Sequence, residues 1–225
     1  MRCFLAPIFV AAAIWASPAR AAEAPAARVD PGTRALIAAG VGVAYVHLHE
    51  GGHLLSGLAF GGKNPGIVYL PSFGHAAAAH IEGDLGDLGW DVTLLAGAGA
   101  GRVGAELADL ARRRLTLAPE VDEAARQLFL AGRLDFPFYV CTNAFVALAL
   151  GNDSALGGDF NMLVARVGGD DGWRRLAAWG VLLGVAGLDL ALDMPRLRDA
   201  LDGTAVTVGG PAATAGTISL WQAKF

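Results

Sequence analysis

Apolar residues in this chain do not alternate with polar ones; they gather in four long stretches, at about 35–60, 91–111, 128–150 and 173–193. Runs of this length predict helices rather than strands, and roughly 20 apolar residues suffice to cross a bilayer core. Between the first two stretches, Gly61–Gly74 carries turn residues around a short strand-like piece, Ile67–Leu70, and the segment Ile81–Asp87 reads as an acidic loop. Gly168–Gly172 separates the third stretch and its tail from the fourth. Near the end, residues 205–211 and 216–225 read as two strands of a hairpin. The pattern therefore predicts a mainly α protein: a polytopic membrane helical bundle of about four apolar segments. A short β element follows the first segment, and a β-hairpin forms the C-terminal end.

Composition strengthens the membrane expectation. Hydrophobic residues make up 54% of the 225 positions and charged residues only 17%, with a mean hydropathy of +0.46, too apolar for an average soluble domain. The net charge of −4 and the lack of a basic stripe argue against nucleic-acid binding. Charges nevertheless interrupt the stretches: Arg102 and Glu106 in the second, Arg133 and Asp135 in the third, Asp189 in the fourth. Such groups are costly in lipid unless they face a polar interior. The N-terminus, with Arg2, a short apolar run and Ala19-Arg20-Ala21, reads as a bacterial-type secretory signal or apolar leader over 1–21. A flexible lead-in over 22–33, a helical core over 34–200 and the hairpin tail over 201–225 complete the expected organisation. The expected location is the inner membrane, with the periplasm as the alternative. A cleaved leader would leave Arg112–Arg114 outside, against the positive-inside tendency. Cys3 and Cys141 are the two cysteines, and neither has the spacing of a metal-ligand pair.

The chemistry concentrates in His49-Glu50-Gly51-Gly52-His53, inside the first stretch. This fits His-Glu-x-x-His, in which two imidazoles one helical turn apart grip a single Zn2+ and the Glu serves as general base towards water. Gly51 and Gly52 each cost a helix about 1 kcal/mol relative to Ala, so their presence implies a close approach there. His47 falls on another face of the helix and reads as a hydrogen-bonded neighbour. A catalytic zinc usually takes three protein ligands. The third is open between His75 or His80, in Gly74–His80, and a carboxylate of Gly151–Leu163.

At that last segment the chain resembles the site-2 protease family of intramembrane zinc metalloproteases. There His-Glu-x-x-His lies in the first core transmembrane segment, an Ala-Gly-Pro-type signature opens the second, and an Asp at an Asn…Asp-Gly motif on the third, usually with Pro between Asn and Asp, completes the metal site. Leu95-Ala-Gly-Ala-Gly-Ala-Gly101 stands where the signature belongs, Asn152 where the Asn belongs and Asp159 where the ligand Asp belongs. The likeness covers about residues 35 to 165. It departs from the pattern in lacking Pro in both places and in having Phe160 after Asp159, which leaves Asp153 as the nearest rival. The resemblance implies metal ligands His49, His53 and Asp159, with Glu50 catalytic. It implies a membrane-embedded endopeptidase acting on peptide or membrane-protein substrates, aligned along an edge strand from Gly61–Gly74. Two other functions fit parts of the sequence: a non-proteolytic membrane or periplasmic binding or assembly protein that keeps the motif, and a soluble secreted zincin. Nothing in the chain sets an oligomeric state.

Gly99-Ala-Gly-Arg-Val-Gly104 also matches the dinucleotide-binding G-x-G-x-x-G pattern. No βαβ alternation surrounds it, and glycines spaced through an apolar helix favour close helix packing instead.

Overall fold

The computed structural model describes residues 29–69, 77–150 and 158–202. The expected leader, most of the lead-in, His75, Asn152, Asp153 and the expected C-terminal hairpin lie outside them. Among the described residues there are five helices and two strands: α1 (Pro31–Ala59), β1 (Lys63–Val68), β2 (Ala78–Glu82), α2 (Gly86–Arg114), α3 (Pro119–Leu150), α4 (Asp159–Gly168) and α5 (Gly172–Asp202). The mainly helical expectation holds.

Local chemistry explains the ends of these helices. The Asp30 carboxylate accepts hydrogen bonds from Gly32 N–H and Thr33 N–H at 2.9 and 3.0 Å, with Pro31 opening the first turn of α1. Arg112, Arg113 and Arg114 occupy the last turn of α2, where cations complement the helix dipole. Glu120 and Asp122 do the converse in the first turn of α3. Pro137 lies inside α3 and Pro195 inside α5, and each removes one backbone donor from its helix.

The β element differs from the sequence expectation. Its first strand begins at Lys63 rather than Ile67, and a second strand, β2, forms at Ala78–Glu82, where no strand is expected and whose last two residues read as acidic loop. The two pair antiparallel, with Gly66 opposite His80 and Ile67 opposite Ala79. Ile81 anchors the hairpin on α1, because Gly57 and Gly62 leave no Cβ where its side chain sits.

Glycine also sets how closely the helices approach. A Cβ at Gly52 of α1 would strike the Ala96 carbonyl and come within 2.7 Å of Ala100 Cβ on α2. Gly101 and Gly104 of α2 face Tyr45 and Leu48 of α1, and Gly132 of α3 packs on Gly101 and Ala105. The G-x-G-x-x-G glycines thus sit in mid-helix, Gly101 and Gly104 as packing surfaces and Gly99 facing open space, not at a helix N-terminus.

What is inside and what is outside are unusual. The buried apolar positions include many alanines (Ala98, Ala105, Ala108, Ala144, Ala147, Ala186 and Ala200), gathered in two clusters around Phe160 with Trp179 and around Phe129 with Leu197. Large residues such as Leu36, Leu55, Val103, Leu107, Phe145, Val181, Leu188 and Leu192 are exposed. Between the two clusters runs an ionic network. Arg102 binds Asp189 at 2.6 Å and Asp193 at 2.7 Å, and Arg133, 2% exposed, binds Asp193 at 2.7 Å. Arg196 binds Glu106 at 2.9 Å and also Asp109, which Arg113 holds at 2.9 Å. Apart from Asp135, the charges that interrupt the apolar stretches thus meet one another across α2, α3 and α5.

By length and composition, one helix among the described residues is long and apolar enough to cross a membrane. This is α5, with mean hydropathy 1.6 over its apolar window, of which 17% is buried. The expectation of about four such segments is corrected accordingly. The physical reason is compositional: His47, His49, Glu50 and His53 in α1, Arg102, Glu106 and Asp109 in α2, and Arg133 and Asp135 in α3 make those helices more polar.

Candidate metal centre

His49 and His53 lie one turn apart on the side of α1 that faces α2 and α4, with ring centroids 5.0 Å apart. Their position depends on Gly97 of α2. A Cβ there would strike His53 Nε2 and lie 2.6 Å from His49 Nε2. The glycine-rich middle piece of the sequence therefore makes room for the imidazoles.

The two rings are held from behind. His53 Nδ1 lies 2.6 Å from the Thr93 carbonyl oxygen, which can only accept, so Nδ1 carries the proton and Nε2 is left free. His49 Nδ1 lies 3.2 Å from Asp135 Oδ2 on α3. Both Nε2 atoms then point at one oxygen: Asp159 Oδ2 is 3.5 Å from His49 Nε2 and 3.2 Å from His53 Nε2.

Asp159 is placed by the start of α4. Gly158, at φ +130°, turns the chain into the helix in a conformation that side chains rarely adopt. A Cβ there would also strike Asn143 Oδ1. The Asp159 N–H donates to the Tyr139 hydroxyl at 3.3 Å. Phe160, fully buried, packs edge-on against Phe136 and Tyr139 at 5.5 and 5.4 Å. At the far end of α4, Arg166 ties the helix to Asp91 at 2.8 Å and Asp87 at 3.0 Å on α2. Phe160, which departs from the family pattern, is thus the apolar anchor that fixes the Asp159 backbone.

Glu50 points along the same cleft, and its Oε2 accepts a hydrogen bond from the Ala79 N–H of β2 at 2.7 Å. The cleft encloses about 360 Å3 and is lined by Glu50, His53, Asp159 and Tyr139, by β2, and by Trp90, Leu94 and Met162.

The remaining histidines stand apart. His47 is exposed, with Nδ1 at 2.8 Å from the Val43 carbonyl and Nε2 at 2.6 Å from the Tyr69 hydroxyl. His80 lines the cleft from β2, but its Nε2 faces Glu82 at 3.5 Å. The Asn64 amide first, and His80 after it, hold the Glu82 carboxyl below its ordinary range. Among the described residues, the group of His, Cys, Asp and Glu side chains able to share one ion is His49, His53 and Asp159, whose ligand atoms all lie within 4.8 Å of one another.

This set fits Zn2+ in kind and in spacing. Two imidazole nitrogens and one carboxylate oxygen are ordinary zinc donors, with bonds of about 2.0–2.2 Å. Two ligands on a tetrahedral ion at that radius stand roughly 3.3 Å apart, close to the 3.2 and 3.5 Å separations found here. Asp135, the Thr93 carbonyl, Tyr139 and Gly97 were not singled out as site residues from sequence. Of these, Gly97 alone had a signal, as part of the glycine-rich signature.

Comparison of the chain with protein-family models, curated proteins and solved structures returned no match.

Proposed function

We propose that the chain is a zinc-dependent, membrane-embedded endopeptidase of the site-2 protease type. It would cleave peptide bonds of membrane-associated substrates in a bacterial-type inner membrane. The observation that carries the reading is the convergence of His49, His53 and Asp159 donor atoms beside Glu50, in a cleft bordered by a strand. Zn2+ in that position supplies a Lewis acid for the scissile carbonyl and for water.

The chain's own residues divide the remaining work. His49, His53 and Asp159 hold the ion. Glu50 takes a proton from water and delivers it to the leaving amine, a role that suits a carboxylate lodged in the same cleft and free to exchange one hydrogen bond. The Ala79 N–H, directed at Glu50 rather than at β1, belongs to the cleft-side edge of β2. An extended substrate could pair with that edge by strand addition. Trp90, Leu94 and Met162 give the cleft an apolar wall for its side chains.

Membrane embedding is supported by the distribution of residues: alanines, glycines and paired charges inside, large aliphatic side chains outside. Many large apolar side chains exposed together are a mark of an interaction or membrane-facing surface. In lipid, small residues at helix contacts and inward-facing charges are the expected pattern. The limited burial of α5 agrees with a helix facing lipid rather than a protein core.

The test is hydrolysis of a reconstituted membrane peptide by zinc-loaded protein. Wild type should cleave it, and Glu50→Gln should bind zinc equally well while losing hydrolysis by at least a hundredfold. Equal activity of the two rejects the mechanism. Zinc binding without any cleavage by wild type would favour a binding protein that keeps the motif.

A further inference from the structure

The sequence motif accounts for the metal-facing side of His49, but the other side of that ring also has a partner. Asp135 comes from α3, far from the motif, and its Oδ2 lies 3.2 Å from His49 Nδ1. That oxygen is buried, and among the described residues no hydrogen bond is directed at it. A buried carboxylate oxygen needs a donor, and two groups face the Asp135 carboxylate: the His49 imidazole at 3.2 Å and the Tyr45 hydroxyl of α1. The corresponding atom of His53 faces a neutral acceptor, the Thr93 carbonyl, at 2.6 Å. The two imidazoles are therefore supported unequally, one by a backbone dipole and the other by a carboxylate.

We propose that Asp135 is a positioning residue for the metal centre: its carboxylate accepts the His49 Nδ1 proton, turns Nε2 towards Asp159 and strengthens His49 as a ligand. Carboxylates behind ligating imidazoles fix the tautomer and raise ligand basicity, and losing one typically weakens metal binding about 10- to 100-fold. The arrangement also explains why a carboxylate sits in the middle of an apolar stretch of α3, away from the ionic network formed by Arg102, Arg133 and Arg196. The inference rests on the reading of His49, His53 and Asp159 as a metal site.

The experiment is Zn2+ and Co2+ binding by the full chain in detergent, with thermal unfolding of each metal-free variant. In Asp135→Asn, which keeps the shape but not the charge, affinity for both ions should fall about 10- to 100-fold and the visible Co2+ bands should shift. Metal-free melting should change little. Asp135→Glu keeps a carboxylate and should bind more tightly than Asp135→Asn. Asp122→Asn, at the distant Arg112 pair, should bind as wild type does. Affinity within twofold of wild type in Asp135→Asn, or equal losses in the Asn and Glu variants, overturns the proposal while leaving the metal site standing. A wild-type chain that binds neither ion removes the metal-site reading and this inference with it.

Discussion

Gly97→Ala is expected to uncouple the metal centre from the fold. The added Cβ would strike His53 Nε2 and lie 2.6 Å from His49 Nε2 and 2.7 Å from its Cδ2, where ordinary contact begins at 3.4 Å. With α2 held in place, both rings must then retreat, His49 by about 0.8 Å and His53 by more, while a metal site tolerates distance errors of only about 0.2 Å. Neither ring has an easy retreat, since each Nδ1 already faces a partner, Thr93 O or Asp135 Oδ2. Zinc affinity should therefore fall by about a hundredfold or more, or close to 3 kcal/mol. The fold should suffer less. Alanine improves helix propensity by up to about 1 kcal/mol, against an overpacking cost of about 1–3 kcal/mol. Gly99→Ala is the matched control on the same helix: nothing lies within 4 Å of its added Cβ, so it should bind zinc normally and gain about 0.5–1 kcal/mol. The assay is competition for zinc with a chelator of known affinity, alongside melting of the metal-free proteins. Zinc affinity in Gly97→Ala within threefold of wild type would refute the reasoning.

Two further outcomes follow from packing and charge. Phe160→Ala removes a fully buried ring between Phe136 and Tyr139. It should destabilise by about 3–5 kcal/mol and weaken zinc binding through the displaced Asp159, read by denaturation and metal titration; unchanged affinity would count against the anchoring role. Arg133→Met leaves Asp193 short of a partner in the buried network. Because Arg102 still binds Asp193 at 2.7 Å, the loss should be about 1.5–3 kcal/mol, and adding Asp193→Leu should lower stability further by taking a partner from Arg102 as well; a double variant more stable than the single one contradicts the network.

The parts legible from sequence were those with local signals. Long aliphatic runs foretold helices, and the spacing of His49, Glu50 and His53 foretold a shared face. The resemblance pointed to Asp159, which the structure brings to both imidazoles. What stayed hidden depends on distant partners. The piece Ala78–Glu82 is alanine-rich and poor in strand propensity, and it becomes β2 through pairing with β1, with Ala79 held by Glu50. The short helix α4 is set by a positive-φ glycine and one buried phenylalanine, which periodicity over ten residues cannot reveal. Arg102, Glu106, Arg133 and Asp189 look like obstacles in apolar stretches until helix packing pairs them. Asp135 looked the same, and only the packing of α3 on α1 puts it behind His49. The Thr93 contact is made by a backbone carbonyl, so the residue type there carries no trace of it.

The central claim is that His49, His53 and Asp159 hold one zinc ion. It is tested most directly by zinc content per chain after equilibration and desalting. Wild type and Glu50→Gln should each carry about one ion, and His49→Ala, His53→Ala and Asp159→Ala should each lose most of it. No zinc in wild type, or an undiminished ion in the Asp159 variant, would contradict it.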